Sequence, residues 1–288
     1  MEPVILNSTK SRESGSAGLM REPWFQLPTR TSTLYQGDAL KLLSECESES
    51  IDLIFADPPY FLSSGGLTCQ GGKSVSVNKG EWDSSRTISE VHDFNLRWLA
   101  QCQRVLKPNG TIFVSGTSHN IYSVGFALQT LGFKILNDIA WFKINPPPNL
   151  SCRYFTHSTE TLIWAAKSKS SKHVFNYDVM REMPDPAVGK QMLSLWRIKP
   201  PSTREKRFGK HPTQKPEELL SRIILAASNY GDTILDPFTG GGTTAIAALT
   251  HGRKFIGFEL ESDYLNIAVK RITDLSNVLA TQTCGDLK

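Results

Sequence analysis

Ile51-Asp52-Leu53-Ile54-Phe55-Ala56, followed at once by Asp57-Pro58-Pro59-Tyr60, is the stretch from which the fold can be read. An apolar run of that length, free of breakers, reads as a strand buried on both faces, the kind found inside parallel sheets. Far downstream, Ile234-Leu235-Asp236-Pro237-Phe238-Thr239-Gly240-Gly241-Gly242-Thr243 repeats the layout: buried strand, acidic end, glycine-rich turn. Around these anchors strand and helix patterns alternate. Short strands are expected at 33–38, 111–114, 133–142, 160–166, 233–235 and 254–258. Helices are expected at 39–46, 90–106, 121–131, 217–228, 243–251 and 263–275, with Lys107-Pro108-Asn109-Gly110 closing the second of them. Alternation at both ends of the chain implies an α/β fold with a doubly wound, mainly parallel sheet, interrupted by an insertion.

Three regions fall outside that alternation. Residues 1–30 are polar, without a sustained period, and read as a flexible arm. Residues 61–87 are rich in Gly and Ser; a loop of that length inside a domain is functional or disordered. Residues 167–210 are polar, basic and aromatic. The expected organisation is an arm (1–30), a catalytic domain (31–275) containing an insertion (167–210), and a tail (276–288).

At 288 residues, 39% hydrophobic and 21% charged, the chain has the composition of a globular protein with one substantial core. Its net charge of +4 is mild, but Lys190–Lys210 holds seven Lys or Arg against one Glu. Five scattered cysteines form no CxxC pair, so no metal site is expected. The N-terminus lacks a signal-peptide pattern, and no apolar stretch approaches the ~20 residues that span a bilayer. A cytoplasmic protein with reduced thiols and no membrane partner is expected.

The downstream loop reads as a nucleotide-cofactor site. Ligands of open α/β sheets bind beyond the carboxyl ends of the strands, where Asp236, Phe238, Gly240, Gly242 and Thr243 stand. Glycines there let backbone approach a ligand, and Glu259, at the end of the next strand, can accept from two ribose hydroxyls. Gly240-x-Gly242-x-x-Ala245 with an acid about 20 residues on also fits the dinucleotide fingerprint, so the loop alone leaves a nicotinamide or flavin cofactor open. Thr213 and Lys215, in His211-Pro212-Thr213-Gln214-Lys215-Pro216, offer a hydroxyl and a cation for a carboxylate.

The upstream loop suits a planar amine. Such a nitrogen is a poor nucleophile, because its lone pair is delocalised. Asp57 and the carbonyl of Pro58 can accept its two N–H groups, the prolines stiffen the loop, and Tyr60 presents a face to a flipped base. Catalysis would rest on proximity and orientation. A strand-ending turn without chemistry is the competing reading of the tetrapeptide alone.

With both loops in this order, residues 33–275 resemble the β class of DNA amino-methyltransferases. The resemblance implies the α/β fold of S-adenosylmethionine-dependent methyltransferases, with S-adenosyl-L-methionine as cofactor. It makes Asp57-Pro58-Pro59-Tyr60 the catalytic motif in its adenine-N6 form; the cytosine-N4 enzymes usually carry Ser in place of the Asp. It makes Asp236–Thr243 the cofactor loop, Glu259 the ribose acid, Asp38 the contact to the cofactor's adenine, Lys215 and its neighbours the adjacent cofactor segment, and Lys143 and Asn145 part of the target-base pocket. The family usually has Gly-Ser-Gly or Gly-Thr-Gly in the cofactor turn, where this chain has three glycines. Residues 55–66, 75–82, 149–164 and 210–216 are similar to the DpnA-like second methyltransferases of DpnII-type restriction-modification systems. That likeness implies adenine in GATC as target and DNA, single- as well as double-stranded, as partner. Arg197, Arg204, Lys206 and Arg207 are the candidate DNA contacts within the insertion. A cytosine-N4 or RNA-base methyltransferase and a silent DNA-binding module are the alternatives, and the oligomeric state stays open, a homodimer being one option. His157 and Glu160 fit either chemistry or a buried polar network.

Overall fold

Ile234 and Leu235 lie in register with Leu53 and Ile54, so the two apolar runs are neighbouring parallel strands. The computed structural model describes residues 19, 21–29, 31–61, 67–70, 73–76, 87–146, 148–150, 152–184 and 188–285. Residues 1–18, and most of the Gly/Ser-rich stretch, lie outside the described residues. Within the expected flexible arm, Leu19 is buried and Phe25–Gln26 pairs with Thr33–Leu34 as the edge of the sheet, so 21–29 is held rather than free. The elements are β1 (Phe25–Gln26), β2 (Ser32–Gln36), α1 (Ala39–Glu45), β3 (Ile51–Ala56), β4 (Leu67–Gln70), β5 (Lys73–Ser76), α2 (Ile88–Val105), β6 (Leu106–Gly116), α3 (Ile121–Thr130), β7 (Lys134–Phe142), β8 (Thr159–Ala166), α4 (Tyr177–Arg181), β9 (Leu195–Arg197), α5 (Glu217–Ala227), β10 (Thr233–Asp236), α6 (Thr243–Thr250), β11 (Lys254–Glu259) and α7 (Ser262–Gly285).

Among the described residues, nine strands form one sheet in the order β1-β2-β11-β10-β3-β6-β8-β7-β9, and β4-β5 is a separate antiparallel hairpin. Five pairings in the large sheet are parallel and three, β1–β2, β6–β8 and β7–β8, are antiparallel. From β3 the chain moves outward through α2 to β6; from β10 it moves the other way through α6 to β11. The β3–β10 seam is thus the topological switch point, where doubly wound sheets bind ligands.

Alternation along β3 explains the two layers. Ile54 and Ala56 pack into the core with Leu42, Trp98, Leu99 and Leu128 of α1–α3. Leu53 and Phe55 join Leu220, Ile224, Ala247 and Leu265 of α5–α7. Helix α2 carries the apolar face its spacing predicts and starts on a capping box between Thr87 and Glu90.

Three expectations change. Lys107–Gly110 does not close α2 as a free turn, because it is already strand. Ile51 pairs with Leu106 and Leu53 with Thr111, so these residues bulge out of β6 where Pro108 has no N–H to donate. Helix α7 continues to Gly285, past the expected end at Leu275. The 167–210 insertion does not form one surface. Ala166 pairs with Thr111, so Lys167 emerges at the end of the sheet opposite Asp57, where it binds Glu49 and the Leu106 carbonyl. Only from β9 onward does the insertion return, with Arg197 in register with Phe142.

Asp52 is the one acid within β3. Its carboxylate accepts from the Thr233 backbone N–H at 2.9 Å and from Lys107 Nζ at 2.8 Å, tying β10 and the bulge to β3. Asp52→Ala should lower unfolding free energy by about 1–3 kcal/mol, the usual cost of leaving buried partners unmatched. Lys107→Met, on a half-exposed partner, should cost no more than ~1 kcal/mol. Urea unfolding of the two variants checks this; equal losses would deny Asp52 its role at the seam.

Candidate active site

Each of the two central strands ends in an acid, and the seam brings these acids together. Asp57 follows Ala56 at the end of β3, and Asp236 closes β10. Between and above them lies a cavity of about 190 Å³, bounded by Asp38, Asp57, Tyr60, Thr213, Phe238 and Glu259 among others. A smaller one of about 30 Å³ runs beneath it between Asp57, Lys215, Asp236 and the Gly240–Gly241 turn. Expected catalytic and cofactor residues from five separate segments therefore share one site.

The glycine loop is shaped by its missing side chains. Gly240 and Gly242 have φ of +51° and +79°, in the left-handed region, whereas Gly241 does not. A Cβ on Gly242 would stand 2.8 Å from that of Ala268 in α7, while one on Gly241 meets its neighbours at 3.6 Å or more. The middle glycine, Gly241, where related loops carry Ser or Thr, is therefore the one that needs no special backbone. Asp236 braces this turn. It accepts from the Phe238 N–H at 3.0 Å and from Thr244 Oγ1 at 2.5 Å, and burial raises its carboxyl to about 7. Glu259 accepts from the N–H groups of Gly240 (2.8 Å) and Glu261 (2.9 Å), and burial raises its pKa. Asp38 borders the cavity while capping α1 through the Lys41 N–H. Thr243 is buried beneath the loop with its hydroxyl on Arg271.

At the catalytic end Tyr60 donates its hydroxyl hydrogen to Asp57 Oδ1 at 2.7 Å. Lys215 Nζ sits 2.5 Å from Asp57 Oδ2 and 3.4 Å from Glu160 Oε2, with Lys143 on the other Glu160 oxygen. Lys215 is only 6% exposed in its side chain. Burial alone would lower its pKa; Asp57 and Glu160 instead hold it well above the ordinary lysine value, so it is charged. Burial pushes the Asp57 carboxyl up against the pull of Lys215. Glu160 is drawn below its ordinary range, the two lysines outweighing its burial.

The expected residues divide as follows. Lys215 stands between Asp57 and the glycine turn rather than on the turn alone. Tyr60 is largely buried, its ring 5.8 Å from Lys215 Nζ. Asn145 is exposed on the loop after β7, and Arg197 lies at the same end of the sheet. Arg204 and Lys206 form a short 3-10 helix, and Arg207 is paired with Asp274 of α7; none of these three lines either cavity. His157 is exposed against Tyr154. Sequence reasoning gave no site role to Phe61, Phe94 and Tyr264, which line the larger cavity; His211, within the segment expected at the cofactor, lines it with them. Phe61 carries an uncommon φ of +56° and packs edge-on to Phe94, strain of the kind that gathers at functional loops. No motif marks Phe94 or Tyr264, which reach the cavity from α2 and α7, while Phe61 directly follows the Asp57–Tyr60 motif.

The residues fit S-adenosylmethionine. A Cβ on Gly240 would press on His211 at 3.1 Å, so that approach is open only to glycine, and a carboxylate stands at each end of the cavity. Among the described residues no cluster of His, Cys, Asp and Glu could hold a metal, and no helix is long and apolar enough to cross a membrane.

Comparison with known proteins agrees with this geometry. A family model described as DNA methylase matches residues 51–270. Type II methyltransferase M2.LlaDCHI of Lactococcus lactis subsp. cremoris is 55% identical over 255 residues, which are 88% of this chain and 93% of that protein. Type II methyltransferase M2.DpnII of Streptococcus pneumoniae is 54% identical over 255 residues, with the same coverage of both chains. Among solved structures, the M1.HpyAVI–SAM complex superposes with a TM-score of 0.62 at 30% identity, covering 84% of this chain and 98% of that one.

Two outcomes follow from the loop. Gly242→Ala should cost at least about 1–2 kcal/mol from backbone strain alone and weaken cofactor binding, whereas Gly241→Ser should leave both nearly unchanged. Thermal melting and calorimetry of the pair test the assignment, and equal effects would refute it. Asp236 supplies a pH signature. The folded protein holds this proton more tightly than the unfolded chain does, so its contribution is complete below about pH 3.8 and is lost as pH rises to about 7. Across that window the stability of the native protein should fall relative to Asp236→Asn, which has no proton to lose. Parallel melting curves would exclude a raised Asp236.

Proposed function

The chain belongs to the DNA methylase family and takes its methyl group from S-adenosylmethionine, and we propose that its target is the N6 amine of adenine in GATC, on single-stranded as well as double-stranded DNA. The observation that carries this reading is the carboxylate of Asp57 at the mouth of the switch-point cavity, held by Tyr60 and Lys215 beside the glycine turn.

The Gly240–Gly242 turn and Glu259 would hold S-adenosylmethionine, which would supply an electrophilic methyl. The chain's own residues hold the acceptor. Asp57 and the Pro58 carbonyl take the two N–H groups of the amine, which keeps its lone pair in line as the nitrogen becomes pyramidal. The stiff Pro58-Pro59 pair fixes that geometry. Tyr60 and the neighbouring aromatics Phe61 and Phe94 line the space for a planar base.

Aspartate at position 57 supports adenine over cytosine, since related cytosine-N4 enzymes usually carry serine there. The GATC site rests on likeness to M2.DpnII and its relatives, in which this chain takes the part of the methyltransferase of a restriction-modification system, in the cytoplasm. The loop joining β7 to β8 supports single-strand use. Phe155 is 97% exposed and Tyr154 60%, next to Arg153, and unpaired bases stack on such aromatics. An unpaired adenine also avoids the few kcal/mol that flipping from a duplex requires. The basic part of the reading surface is Arg197 together with the Arg204–Arg207 segment.

Labelled methyl transfer should be measured into a GATC oligonucleotide, its annealed duplex and a GTTC control, with the product base identified. Transfer to adenine in both GATC substrates and none to the control is expected. Equal labelling of GTTC would remove the site assignment, N4-methylcytosine would remove the adenine assignment, and activity on duplex alone would remove single-strand use.

A further inference from the structure

In this structure both oxygens of Asp57 are engaged, Oδ1 by the Tyr60 hydroxyl and Oδ2 by Lys215 at 2.5 Å. A carboxylate claimed in that way is a weakened acceptor for an amine. Lys215 has a second carboxylate within reach, Glu160 Oε2 at 3.4 Å. That oxygen is buried and receives no hydrogen bond. The other Glu160 oxygen is taken by Lys143, whose ammonium lies 5.1 Å from the Trp141 ring. Glu160 pairs with Trp141 near the start of β8, so the backbone that carries it is fixed by the sheet. The four groups form a row, Asp57, Lys215, Glu160 and Lys143, of alternating charge and zero net charge.

Such a row is more than a stability device. Buried ion pairs add little net stability over apolar side chains of the same size, and a single acid would suffice to neutralise Lys215. Two acids flanking one lysine divide its proton donors between them. Resting on the reading of Asp57 as the amine acceptor, we propose that Glu160 is a positioning residue for methyl transfer: by sharing Lys215 with Asp57, it sets how firmly that lysine covers the acceptor carboxylate. In the transfer the amine nitrogen forms a bond to the methyl carbon, the carbon–sulfur bond breaks with its electron pair going to sulfur, and one amine proton leaves to Asp57 and then to water. A Lys215 drawn toward Glu160 frees the Asp57 oxygen for that N–H. The charged and titratable groups around Asp57 are Tyr60 on its own loop, Lys215 ahead of α5, Glu160 on β8 with Lys143 behind it, and Asp236 on β10.

The test is kinetic. Glu160→Gln keeps the shape and removes the charge, which leaves Lys215 to Asp57 alone. On an oligonucleotide containing the target adenine, kcat should fall by roughly tenfold or more, and the acid limb of its pH profile should move down by about one unit, since one such unit corresponds to a tenfold bias toward ionised Asp57. Cofactor affinity by calorimetry should stay within about twofold. Glu160→Asp should recover part of the rate. Lys143→Gln should move the acid limb the opposite way, because Glu160 then draws Lys215 more strongly; this variant also decides the matter if Glu160→Gln does not fold. An acid limb that stays in place in whichever variant folds, or a rate loss matched by an equal loss of cofactor affinity, overturns the proposal. Asp57→Asn separates the two levels. If it stays active, the reading of Asp57 fails and this inference with it. If it binds cofactor but transfers nothing while the Glu160 variant leaves the acid limb unmoved, this inference alone fails.

Discussion

Parallel pairing of β3 with β10 is the constraint on which the rest of the molecule depends. It joins chain segments 181 residues apart, measured at the hydrogen bond from Thr233 to Asp52. Loop closure over such a span costs conformational entropy that grows only slowly with length, so the seam needs no unusual compensation beyond two buried apolar faces. Its consequence is chemical. Strands leaving the seam in opposite directions open a crevice at their carboxyl ends, and each brings an acid to it. Asp57 faces the acceptor side, and Asp236 braces the glycine turn from below.

Charge in that crevice is handled by sharing. Lys215 is almost fully buried, a costly place for an ammonium unless carboxylates surround it. Asp57 and Glu160 provide them from opposite sides, and Lys143 balances the second acid. On the cofactor side the same problem is met with backbone, as Asp236 and Glu259 accept N–H groups from the loop they support. The acids of the site therefore differ in kind. Two are paired with lysines and can respond when a ligand redistributes that charge, and two are locked into the architecture of the turn.

Much of this was readable from residues in order. The apolar runs at 51–56 and 234–236 could only be buried strands, the spacing of Val91, Leu99, Cys102 and Val105 could only be one helix face, and glycines at 240 and 242 stand where positive φ is required. The unread parts share a physical reason, in that they depend on partners distant along the chain. Lys107–Gly110 has the composition of a turn, yet it bulges from a strand because Asp52 fixes Lys107. Lys215 reads as a cofactor contact until Asp57, 158 residues away, is folded onto it. Glu160 could not be told from an ordinary buried acid before its two lysines were known. The basic segment 167–210 looks like one surface in sequence, but the sheet sends Lys167 to one end and Arg197 to the other.

The antiparallel hairpin of β7 and β8 explains how the proposed acceptor site and the proposed DNA surface come to lie together. In a purely parallel sheet every strand would reach the catalytic end by its carboxyl terminus, and each connection there would lead on to a helix. Because β8 runs against β6, its amino end lies at the catalytic end, and the loop from Phe142 to Thr159 turns there. That single reversal delivers Lys143 and Glu160 into the charged row and lifts Tyr154 and Phe155 into solvent above it. Strand β9, parallel to β7, then adds Arg197 to the same rim. The charged row and the exposed aromatics are therefore two sides of one connection, and under the proposed function a nucleic-acid strand held by the loop tip would bear directly on the geometry at its base.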